Sequence, residues 1–335
     1  MIRVGLLGCG FMGNMHAACY AALADLDVKL TAVSDQAFEA AQALAEKTGA
    51  AAWDDAAALV ESDAVDVIDI CLPTFLHTPF AVSAMRAGKD VFIEKPVCLR
   101  EEDMALLLET ERQTGRKVQV GQVLRFWNEY VWLKKTADEG IYGKFLGGMF
   151  RRMSSSPTWS RDDWYHKPER SGGLAVDMHV HDVDFVRWLL GEPETVRAQA
   201  QRSENGVISQ IFSEYTYPNG VGVTLEASWE NPPCFPFAGD YRVRFERAAA
   251  VYEKGVLRVY PAEGEPFTPE FAAVAQESDA GGNISSLAGY YDELKYFIEG
   301  VRGEHALERA ALADSIGSVR LVQREIETAG GLVLK

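Results

Sequence analysis

Asp177 and His181 have the types and the spacing of an acid–base pair. The segment 172–185 predicts a helix that begins near Gly173, and residues four apart on a helix share one face. An imidazole, with a pKa of about 6.5, is suited to remove the hydroxyl proton of an alcohol while a hydride leaves the carbon. A carboxylate one turn away would orient the ring or share the hydroxyl group. The pair therefore predicts redox chemistry at an alcohol.

The other polar residues of this segment leave alternatives open. Asp184 lies one turn beyond His181 on roughly the same side, whereas His179 and Asp182 point elsewhere. A helix with a solvated polar face is the plainer interpretation. A metal centre on His179, His181 and an aspartate is disfavoured, because a His-x-His pair diverges on a helix and no third ligand stands at a useful spacing. The sequence therefore predicts no metal site.

A lysine directly follows a predicted strand in the run Glu94-Lys95-Pro96. In doubly wound sheets, ligands bind outside the carboxyl ends of the strands, which is where the strand Asp90–Glu94 places Lys95. Its ammonium group would hydrogen-bond the reacting oxygen and stabilise negative charge as it develops. A surface lysine–glutamate pair beside a turn proline explains the same residues equally well.

A glycine-rich turn follows the predicted strand Ile2–Leu7 and precedes a predicted helix. It reads Gly8-Cys9-Gly10-Phe11-Met12-Gly13, a Gly-x-Gly-x-x-Gly pattern. In a dinucleotide-binding fold, the first glycine permits the tight turn, the second lets the backbone approach the pyrophosphate, and the third lets helix pack on strand. The helix N-terminus would direct unpaired N–H groups at the phosphates. This context favours a bound dinucleotide over an ordinary strand-to-helix turn.

Asp35 indicates which dinucleotide would bind. It follows the predicted strand Val28–Ser34 and stands 22 residues after Gly13, close to the usual distance for the acid that holds the adenosine ribose. A carboxylate suits the ribose 2′-OH and repels a 2′-phosphate. Ser34 and Gln36 flank it, and no arginine or lysine follows at once. The sequence therefore predicts NAD in preference to NADP.

The segment 154–171 lacks clear periodicity and carries Trp159, Trp164 and Tyr165 among charged residues. Loops of this length are more often functional than inert. Aromatic rings there would stack on the face of a sugar ring while the charged groups bind hydroxyls. A packed surface loop or a subunit contact is an equally good interpretation.

Short apolar runs alternate with helical stretches over the first 122 or so residues, which predicts a doubly wound parallel sheet in an α/β domain. The predicted strands are Ile2–Leu7, Val28–Ser34, Ala50–Trp53, Val65–Leu72, Asp90–Glu94 and Lys117–Gln122. The predicted helices are about Met12–Ala24, Gln36–Thr48, Pro79–Ala87 and Glu101–Thr114.

The second half of the chain has a different pattern, with longer strands joined by turns. Predicted strands lie at Phe145–Met153, Val196–Ser203, Val207–Tyr217, Gly222–Trp229 and Tyr241–Arg247, followed by helices at about Ala288–Glu299 and Leu307–Thr328. Pro-Asn-Gly at 218–220, between two alternating runs, predicts a hairpin. We therefore expect a domain at 1–122 and a second, α+β domain with a large, mostly antiparallel open sheet at 123–335. The last helices are able to pack back on the first domain.

Composition limits the class of protein and its partners. The chain has 335 residues, 47% of them hydrophobic and 24% charged, which is typical of a globular protein with room for two cores. A formal charge of −16 disfavours nucleic-acid binding. The absence of an apolar run of about 18 residues argues against a membrane span. Five cysteines without paired spacing, and a first strand directly after Met1, predict a cytoplasmic protein without a leader peptide.

These residues together resemble the Gfo/Idh/MocA family, the relatives of glucose–fructose oxidoreductase and inositol dehydrogenase. The resemblance covers most of the chain up to about Gly191, and the last third matches only in being rich in strands. His179 departs from the family pattern, which has a small or apolar residue there. The most specific matches are Gly8–Gly13, Pro73-x3-His77 leading to Ala87-Gly88-Lys89, Glu94-Lys95-Pro96, Gly172-Gly173 before Asp177-x3-His181, and Val120-Gly121 with Arg125.

The resemblance implies an N-terminal Rossmann domain and a C-terminal domain whose open sheet often joins a homo-oligomer, a dimer or a tetramer. It implies that Lys95 orients the substrate hydroxyl, that His181 is the general base and that Asp177 assists. It implies substrate contacts at Arg125, Trp164, Asp177 and His181. It implies a cofactor site formed by Gly8, Gly10, Phe11, Met12, Gly13, Asp35, Leu72, Pro73, His77, Glu94 and Lys95.

The expected function is that of an NAD-dependent oxidoreductase acting on a secondary alcohol or ketone of a sugar, a polyol or a sugar derivative. A redox-assisted glycoside hydrolase or lyase that retains NAD would use the same residues. A nucleotide-sensing regulator without catalysis is the third alternative, since fold does not settle function. The joint presence of Lys95, Asp177 and His181 argues against a pure sensor.

Overall fold

The computed structural model describes residues 1–158, 160–203, 206–271 and 287–330. The described residues form two compact units. The first comprises residues 1–127 and 287–316, and the second comprises 128–271 and 317–330. The first unit is therefore discontinuous in sequence.

The helices and strands follow one another along the chain in two stretches. The first stretch contains β1 (Ile2–Leu7), α1 (Phe11–Ala22), β2 (Val28–Ser34), α2 (Phe38–Thr48), β3 (Ala51–Trp53), α3 (Ala56–Glu61), β4 (Val67–Ile70), α4 (His77–Arg86), β5 (Asp90–Glu94), α5 (Glu101–Thr114) and β6 (Val118–Gly121). The second contains α6 (Asn128–Asp138), β7 (Phe145–Ser155), α7 (Pro168–Ser171), α8 (Val180–Leu190), β8 (Thr195–Arg202), β9 (Ile208–Thr216), β10 (Gly222–Asn231), β11 (Ala238–Phe245), β12 (Ala248–Glu253), β13 (Val256–Pro261), α9 (Ala288–Arg302) and α10 (Leu312–Thr328).

Six parallel strands form the sheet of the first unit, in the order β3-β2-β1-β4-β5-β6. This order reverses direction between β1 and β4, where doubly wound folds bind their ligands. Val4 on β1 pairs with Leu30 on one side and Val67 on the other. The carboxyl ends of β1, β4 and β5 therefore lie side by side at one edge of the sheet.

Helices α1 and α9 pack together in the core of this unit. Leu294, Phe297 and Ile298 of α9 are each fully buried, in the same apolar cluster as Met15 and Tyr20 of α1. Burying one such apolar side chain contributes roughly 1.5–3 kcal/mol. Helix α9, although it comes late in the sequence, is therefore part of the core of the unit that contains the parallel sheet.

Seven strands form the sheet of the second unit, in the order β13-β12-β11-β7-β10-β9-β8. All neighbouring pairs are antiparallel except β7 with β10. The predicted hairpin joins β9 to β10, with Tyr215 opposite Val223, and Gly220 in its turn has φ +77°. Such a positive φ costs glycine little.

The predicted fold class, a Rossmann sheet followed by a mostly antiparallel sheet, is confirmed. The expected boundary after Gln122 lies five residues before the end of the first continuous stretch at Trp127. Residues 287–316, placed by sequence in the second half, group with the first unit because α9 buries its apolar face on α1.

Two further features concern the helices and the cysteines that the structure describes. Among the helices that the structure describes, none is long and apolar enough to cross a membrane. All five cysteines fall within the described ranges, and each is a free thiol.

Candidate functional site

Two glycines of the turn after β1 are required by close backbone approach. A Cβ at Gly8, whose φ is +96°, would lie 2.4 Å from the carbonyl oxygen of Cys71. A Cβ at Gly13 would lie 1.9 Å from the carbonyl oxygen of Gly8. Both distances are shorter than any real contact. The pairing of the strands and the packing of α1 against β1 therefore depend on these glycines.

Gly10 differs, because a Cβ there would meet nothing within 4 Å. Gly10 is the N-cap of α1, no side chain caps the helix at this position, and Phe11 and Met12 begin it. Open space in front of uncapped N–H groups, at the positive end of a helix dipole, suits a phosphate. The turn therefore fits the pyrophosphate of a dinucleotide.

Asp35 is fixed to the same turn by its carboxylate. Its Oδ2 accepts a hydrogen bond of 2.8 Å from the main-chain nitrogen of Cys9, and its Oδ1 accepts one of 2.7 Å from that of Ala37. The side chain is half-buried at the end of β2. A carboxylate held there keeps lone pairs for a ribose diol, so Asp35 also fits the expected cofactor.

His77 connects the loops that follow β4 and β5. Its ring is 1% exposed, with Nε2 lying 2.7 Å from the carbonyl oxygen of Leu72 and Nδ1 2.9 Å from that of Pro96. Burial lowers the pKa of His77, and the two carbonyl oxygens oppose that shift. We therefore assign His77 a supporting role: it holds the segments that carry Leu72, Pro73 and Lys95.

Glu94 and Lys95 lie at the end of β5, followed by a cis peptide bond to Pro96. The Glu94 side chain is buried, and its Oε2 accepts a hydrogen bond of 3.0 Å from the main-chain nitrogen of Lys95. Lys95 itself is half-buried. The predicted placement of this lysine at the ligand-binding edge of the sheet agrees with the observed end of β5.

A buried polar cluster beneath this edge was missed by the sequence analysis. We call His16, Tyr20, Asp69, Cys71, Glu94 and Glu293 the buried charge cluster. Nδ1 of His16 lies 2.9 Å from Oδ2 of Asp69, and Nε2 lies 3.1 Å from Oε1 of Glu94. The Tyr20 hydroxyl donates to Asp69 at 2.9 Å. A signal existed: Asp69 interrupts an otherwise apolar buried strand, and His16 follows the glycine turn by three residues.

Charge interactions in this cluster alter two pKa values. Burial alone would lower the pKa of His16, but attraction to Asp69 holds it well above the ordinary value. Burial, together with repulsion from Glu94, raises the pKa of Glu293 well above the ordinary value. One side-chain nitrogen, oxygen or sulfur atom from each of His16, Asp69 and Cys71 lies within 4.8 Å of the other two. The distance between Nδ1 of His16 and Oδ2 of Asp69 is that of a hydrogen bond.

In the second unit, a helix begins at Gly173, as predicted, but its first part is a π-helical turn over Ala175–His179. Such turns hydrogen-bond from i to i+5 and occur frequently at functional sites. Residues four apart remain close to one full turn, so Asp177 and His181 stay on one side. Asp177 is 9% exposed and His181 is half-buried.

The remaining polar residues of this helix are buried and paired, so a solvated polar face is the wrong interpretation. Oδ2 and Oδ1 of Asp182 accept hydrogen bonds of 2.7 and 3.1 Å from the guanidinium of Arg152. Oδ1 of Asp184 accepts one of 2.7 Å from the hydroxyl of Ser318 on α10. Both carboxylates therefore hold the helix in the core of the second unit.

His179, the departure from the family pattern, has a local explanation. Its Nε2 lies 3.2 Å from Oε1 of Glu325 on α10, and both side chains are fully buried. The hydroxyl of Tyr215 donates to the same carboxylate oxygen at 2.7 Å. His179 thus joins the π-helical turn to α10 and to the sheet.

Arg125 and Trp164 are the other two expected substrate contacts, and their surroundings differ from each other. The Arg125 side chain is 1% exposed, forms an ion pair of 2.5 Å with Asp314, and donates to the carbonyl oxygen of Arg309 at 2.7 Å. These contacts do not support Arg125 as a substrate ligand, because its charge is already compensated inside the first unit. Trp164 is half-buried and stacks on Tyr165 with a centroid separation of 4.0 Å. Trp159 lies outside the described residues.

The structure brings the turn residues, Asp35 and the segment around Lys95 to one edge of the parallel sheet. Asp177 and His181 belong to the second unit. The role of each group remains a proposal.

Comparison with known proteins agrees with both units. Residues 2–122 match the model of the oxidoreductase family with an NAD-binding Rossmann fold. Residues 130–255 match the GFO/IDH/MocA C-terminal domain. The two matches together cover more than half of the chain.

Three curated relatives illustrate which proteins are similar in sequence to this chain. An inositol 2-dehydrogenase of Rhizobium meliloti is 36% identical over 200 residues, which cover 59% of this chain and 58% of that protein. Inositol 2-dehydrogenase 2 of Saccharopolyspora erythraea is 30% identical, over 83% of this chain and 81% of that protein. The 2,7-anhydro-N-acetylneuraminate hydratase of Escherichia coli is 29% identical, over 68% and 61%. The chain thus spans about six-tenths of the first and third of these relatives.

Solved structures share the fold over nearly the whole chain. A levoglucosan dehydrogenase in complex with NADH superposes with a TM-score of 0.84 at 21% identity, covering 98% of this chain and 97% of that one. An NAD-binding oxidoreductase from Klebsiella pneumoniae gives 0.84 at 22% identity, covering 98% and 96%. Both domain models, the 30% identical relative and the shared fold lead to one conclusion: this chain belongs to the Gfo/Idh/MocA family of NAD-binding oxidoreductases.

Proposed function

We propose that this protein is an NAD-dependent dehydrogenase that oxidises a secondary alcohol, or reduces the matching ketone, of a sugar, a polyol or a sugar derivative. The observation that carries the proposal lies within the first unit. Lys95, at the end of β5, shares the ligand-binding edge of the sheet with the uncapped, open turn at Gly10. A cation placed beside a dinucleotide site suits the oxygen of a reacting alcohol. The inositol dehydrogenases among the relatives support the substrate class.

We propose NAD in preference to NADP because of Asp35. Its carboxylate is held by the main-chain nitrogens of Cys9 and Ala37, so it cannot swing away to admit a 2′-phosphate without losing two hydrogen bonds. An anion fixed at that position attracts a diol and repels a phosphate.

We propose that Lys95, Asp177 and His181 carry the chemistry. The ammonium of Lys95 binds the substrate oxygen and stabilises negative charge on it. The imidazole of His181 removes the hydroxyl proton, and the carboxylate of Asp177 keeps the ring or the hydroxyl in position. Bound NAD supplies the acceptor for the hydride.

A second candidate is a redox-assisted hydrolase or lyase that keeps its NAD between turnovers. The Escherichia coli relative that is named a hydratase supports this second candidate. The same three residues would serve, since a transient ketone again requires removal of a hydroxyl proton.

We also propose that the second unit pairs with another copy through its sheet. Leu146, Phe212 and Tyr260 lie on different strands of that sheet and are 39–43% exposed, which supports an apolar contact face. We further propose a cytoplasmic location, which the five free thiols support.

One experiment tests the main proposal and separates it from the second. NADH fluorescence is recorded in anaerobically purified protein, before and after adding NAD with a panel of sugars, polyols and sugar acids. A rise with one substrate class supports the dehydrogenase. A flat response with NAD released on denaturation supports the cofactor-retaining enzyme. A flat response without bound cofactor argues against both.

Variants of the proposed catalytic residues complete this test. Lys95→Ala and His181→Ala should each lower kcat by roughly 10²–10⁴-fold, the usual contribution of a positioned acid–base or charge-stabilising group. Neither residue is needed to hold the phosphates, so the Kd of NADH should be nearly unchanged. Near-normal turnover in both variants would rule out the assigned roles.

A further inference from the structure

The imidazole of His16 faces a carboxylate oxygen at each of its nitrogens. Oδ2 of Asp69 lies 2.9 Å from Nδ1, and Oε1 of Glu94 lies 3.1 Å from Nε2. A neutral imidazole carries one N–H and one acceptor nitrogen, whereas an imidazolium carries two donors. Nδ1 is hydrogen-bonded to Asp69, whereas Nε2 is in ion-pair contact with Glu94 without the geometry of a hydrogen bond. Two anionic oxygens at these distances favour a positive charge on His16.

Glu94 connects this cation to the turn that carries Lys95. One oxygen of its carboxylate, Oε1, lies against His16, and the other, Oε2, accepts the main-chain N–H of Lys95 at 3.0 Å. Rotation of the Glu94 side chain would break both contacts at once. The orientation of Glu94 thus sets the hydrogen bond at the backbone of Lys95.

Groups from β4 and α9 surround the ring of His16. From β4, Asp69 and the thiol of Cys71 approach Nδ1, with Sγ of Cys71 at 3.3 Å. From α9, the ring of Tyr290 lies 6.4 Å away, and the Glu293 carboxyl is fully buried. Burial and repulsion from Glu94 raise the pKa of Glu293, which favours its neutral form.

Gly121 and Phe92 pack against the cluster. A Cβ at Gly121 on β6 would lie 3.1 Å from Oε1 of Glu94 and 3.3 Å from Oε1 of Glu293, so both carboxyl groups pack over this glycine. The edge of Phe92 closes the other side, with a centroid separation of 5.4 Å from the His16 ring. Compact packing of this kind fixes the side chains in one arrangement.

We propose that His16 is a positioning residue for Lys95: the imidazolium fixes the Glu94 carboxylate, and Glu94 in turn fixes the backbone of the catalytic turn. His16 itself touches neither substrate nor cofactor in this scheme. The inference rests on the proposed function of Lys95. It adds to the three proposed catalytic residues a buried residue of α1 that holds one of them in position.

The test uses His16→Gln, with Tyr20→Phe as the matched control. Tyr20→Phe removes a hydrogen bond to the same Asp69 but leaves the cation in place. A displacement of about 1 Å at a reacting group costs roughly 100-fold in rate, so kcat of His16→Gln should fall by about that factor, with KM and the Kd of NADH nearly unchanged. Tyr20→Phe should keep kcat near that of the wild type.

A double-variant comparison separates positioning from general damage. In the Lys95→Ala background, His16→Gln should lower kcat little further, because it acts through the side chain already removed. An equal loss of kcat in both backgrounds would overturn the proposal. So would a loss confined to NADH binding.

A chemical measurement on Lys95 tests the proposal without turnover. The rate at which an amine-acylating reagent modifies Lys95 is measured at one fixed pH by mass spectrometry of the full-length protein. His16→Gln and Glu94→Gln should each change this rate, because each removes a support of the turn that presents the amine to the reagent. Tyr20→Phe should leave the rate unchanged. Unchanged rates in both His16→Gln and Glu94→Gln would overturn the proposal. If the wild type oxidises no substrate, the proposed function fails, and the acylation rates still decide whether His16 positions Lys95.

Discussion

The carboxylate of Asp35 accepts a hydrogen bond of 2.8 Å from the main-chain nitrogen of Cys9, inside the glycine turn itself. The residue expected to select the cofactor is thus fixed to the segment expected to hold its phosphates. In the proposed cofactor site, the group for the ribose and the segment for the pyrophosphate are therefore joined by one hydrogen bond.

Asp35→Asn should therefore retain the fold but lose preference for NAD. The amide keeps an acceptor for one main-chain nitrogen but removes the charge that repels a 2′-phosphate. A hydrogen bond to a charged group contributes about 1.5–3 kcal/mol, so kcat/KM with NAD should fall by roughly 10- to 100-fold. The ratio of kcat/KM for NAD and NADP measures the effect. Equal use of both cofactors by the wild type would contradict the assignment.

Gly10→Ala and Gly13→Ala form a matched pair at the turn. At Gly10 a Cβ would meet nothing within 4 Å, so the free protein should tolerate it, with Tm nearly unchanged. The methyl group would occupy space needed by the phosphates, so the Kd of NADH should rise by at least roughly tenfold. At Gly13 a Cβ would lie 1.9 Å from the Gly8 oxygen, so that variant should fold poorly. Thermal unfolding and NADH titration distinguish the two, and normal NADH binding by Gly10→Ala would contradict the assigned phosphate position.

Adjacent arginines on β7 should differ in their contribution to stability. Arg152 is buried, and burial would lower its pKa, but the attraction of Asp182 raises it instead. Asp182→Asn leaves that buried guanidinium without a countercharge, so the free energy of unfolding should fall by about 3–5 kcal/mol. Arg151, whose side chain is 36% exposed, pairs with Asp240 at 2.8 Å, and Asp240→Asn, which leaves that guanidinium in contact with water, should cost less than about 1 kcal/mol. Urea unfolding measures both, and similar losses in the two variants would contradict this account.

Stability should fall as pH rises above neutrality because of His16. Its pKa in the folded protein is raised by Asp69 above the unfolded value of about 6.5, so its stabilising contribution is complete below that value. The contribution is then lost as pH rises toward the folded pKa, at up to about 1.4 kcal/mol per pH unit. Urea unfolding of the wild type and of His16→Gln, compared between about pH 6 and pH 9, measures this slope. The same slope in both proteins would show that His16 does not supply it.

Local sequence signals predicted the first sheet well. The strands Ile2–Leu7, Val28–Ser34 and Asp90–Glu94 lie at their predicted bounds, as does the helix Glu101–Thr114. Apolar runs bounded by turn residues are sufficient evidence for strands buried on both faces. The strand Ala248–Glu253 was missed because alanine has a low preference for strands.

The polar interior was much harder to predict. His16, Asp69 and Glu94 stand far apart in the sequence, and no periodicity relates residues that one helix and two strands bring together. The partners of Arg125 were equally hard to predict, because Asp314 and Arg309 are nearly 190 residues away in the sequence. The π-helical turn at Ala175–His179 was also beyond reach, because its residues fit an ordinary helix equally well.

The packing of α9 on α1 also bears on the order in which the protein is made. A ribosome releases the parallel sheet and its glycine turn first, but Leu294, Phe297 and Ile298 emerge only after most of the chain has been synthesised. Until then the apolar face of α1 around Met15 and Tyr20 is only partly covered, and exposed apolar surfaces favour aggregation. The unit encoded first is therefore completed late, and a shortened chain that ends near residue 122 would lack part of its own interior.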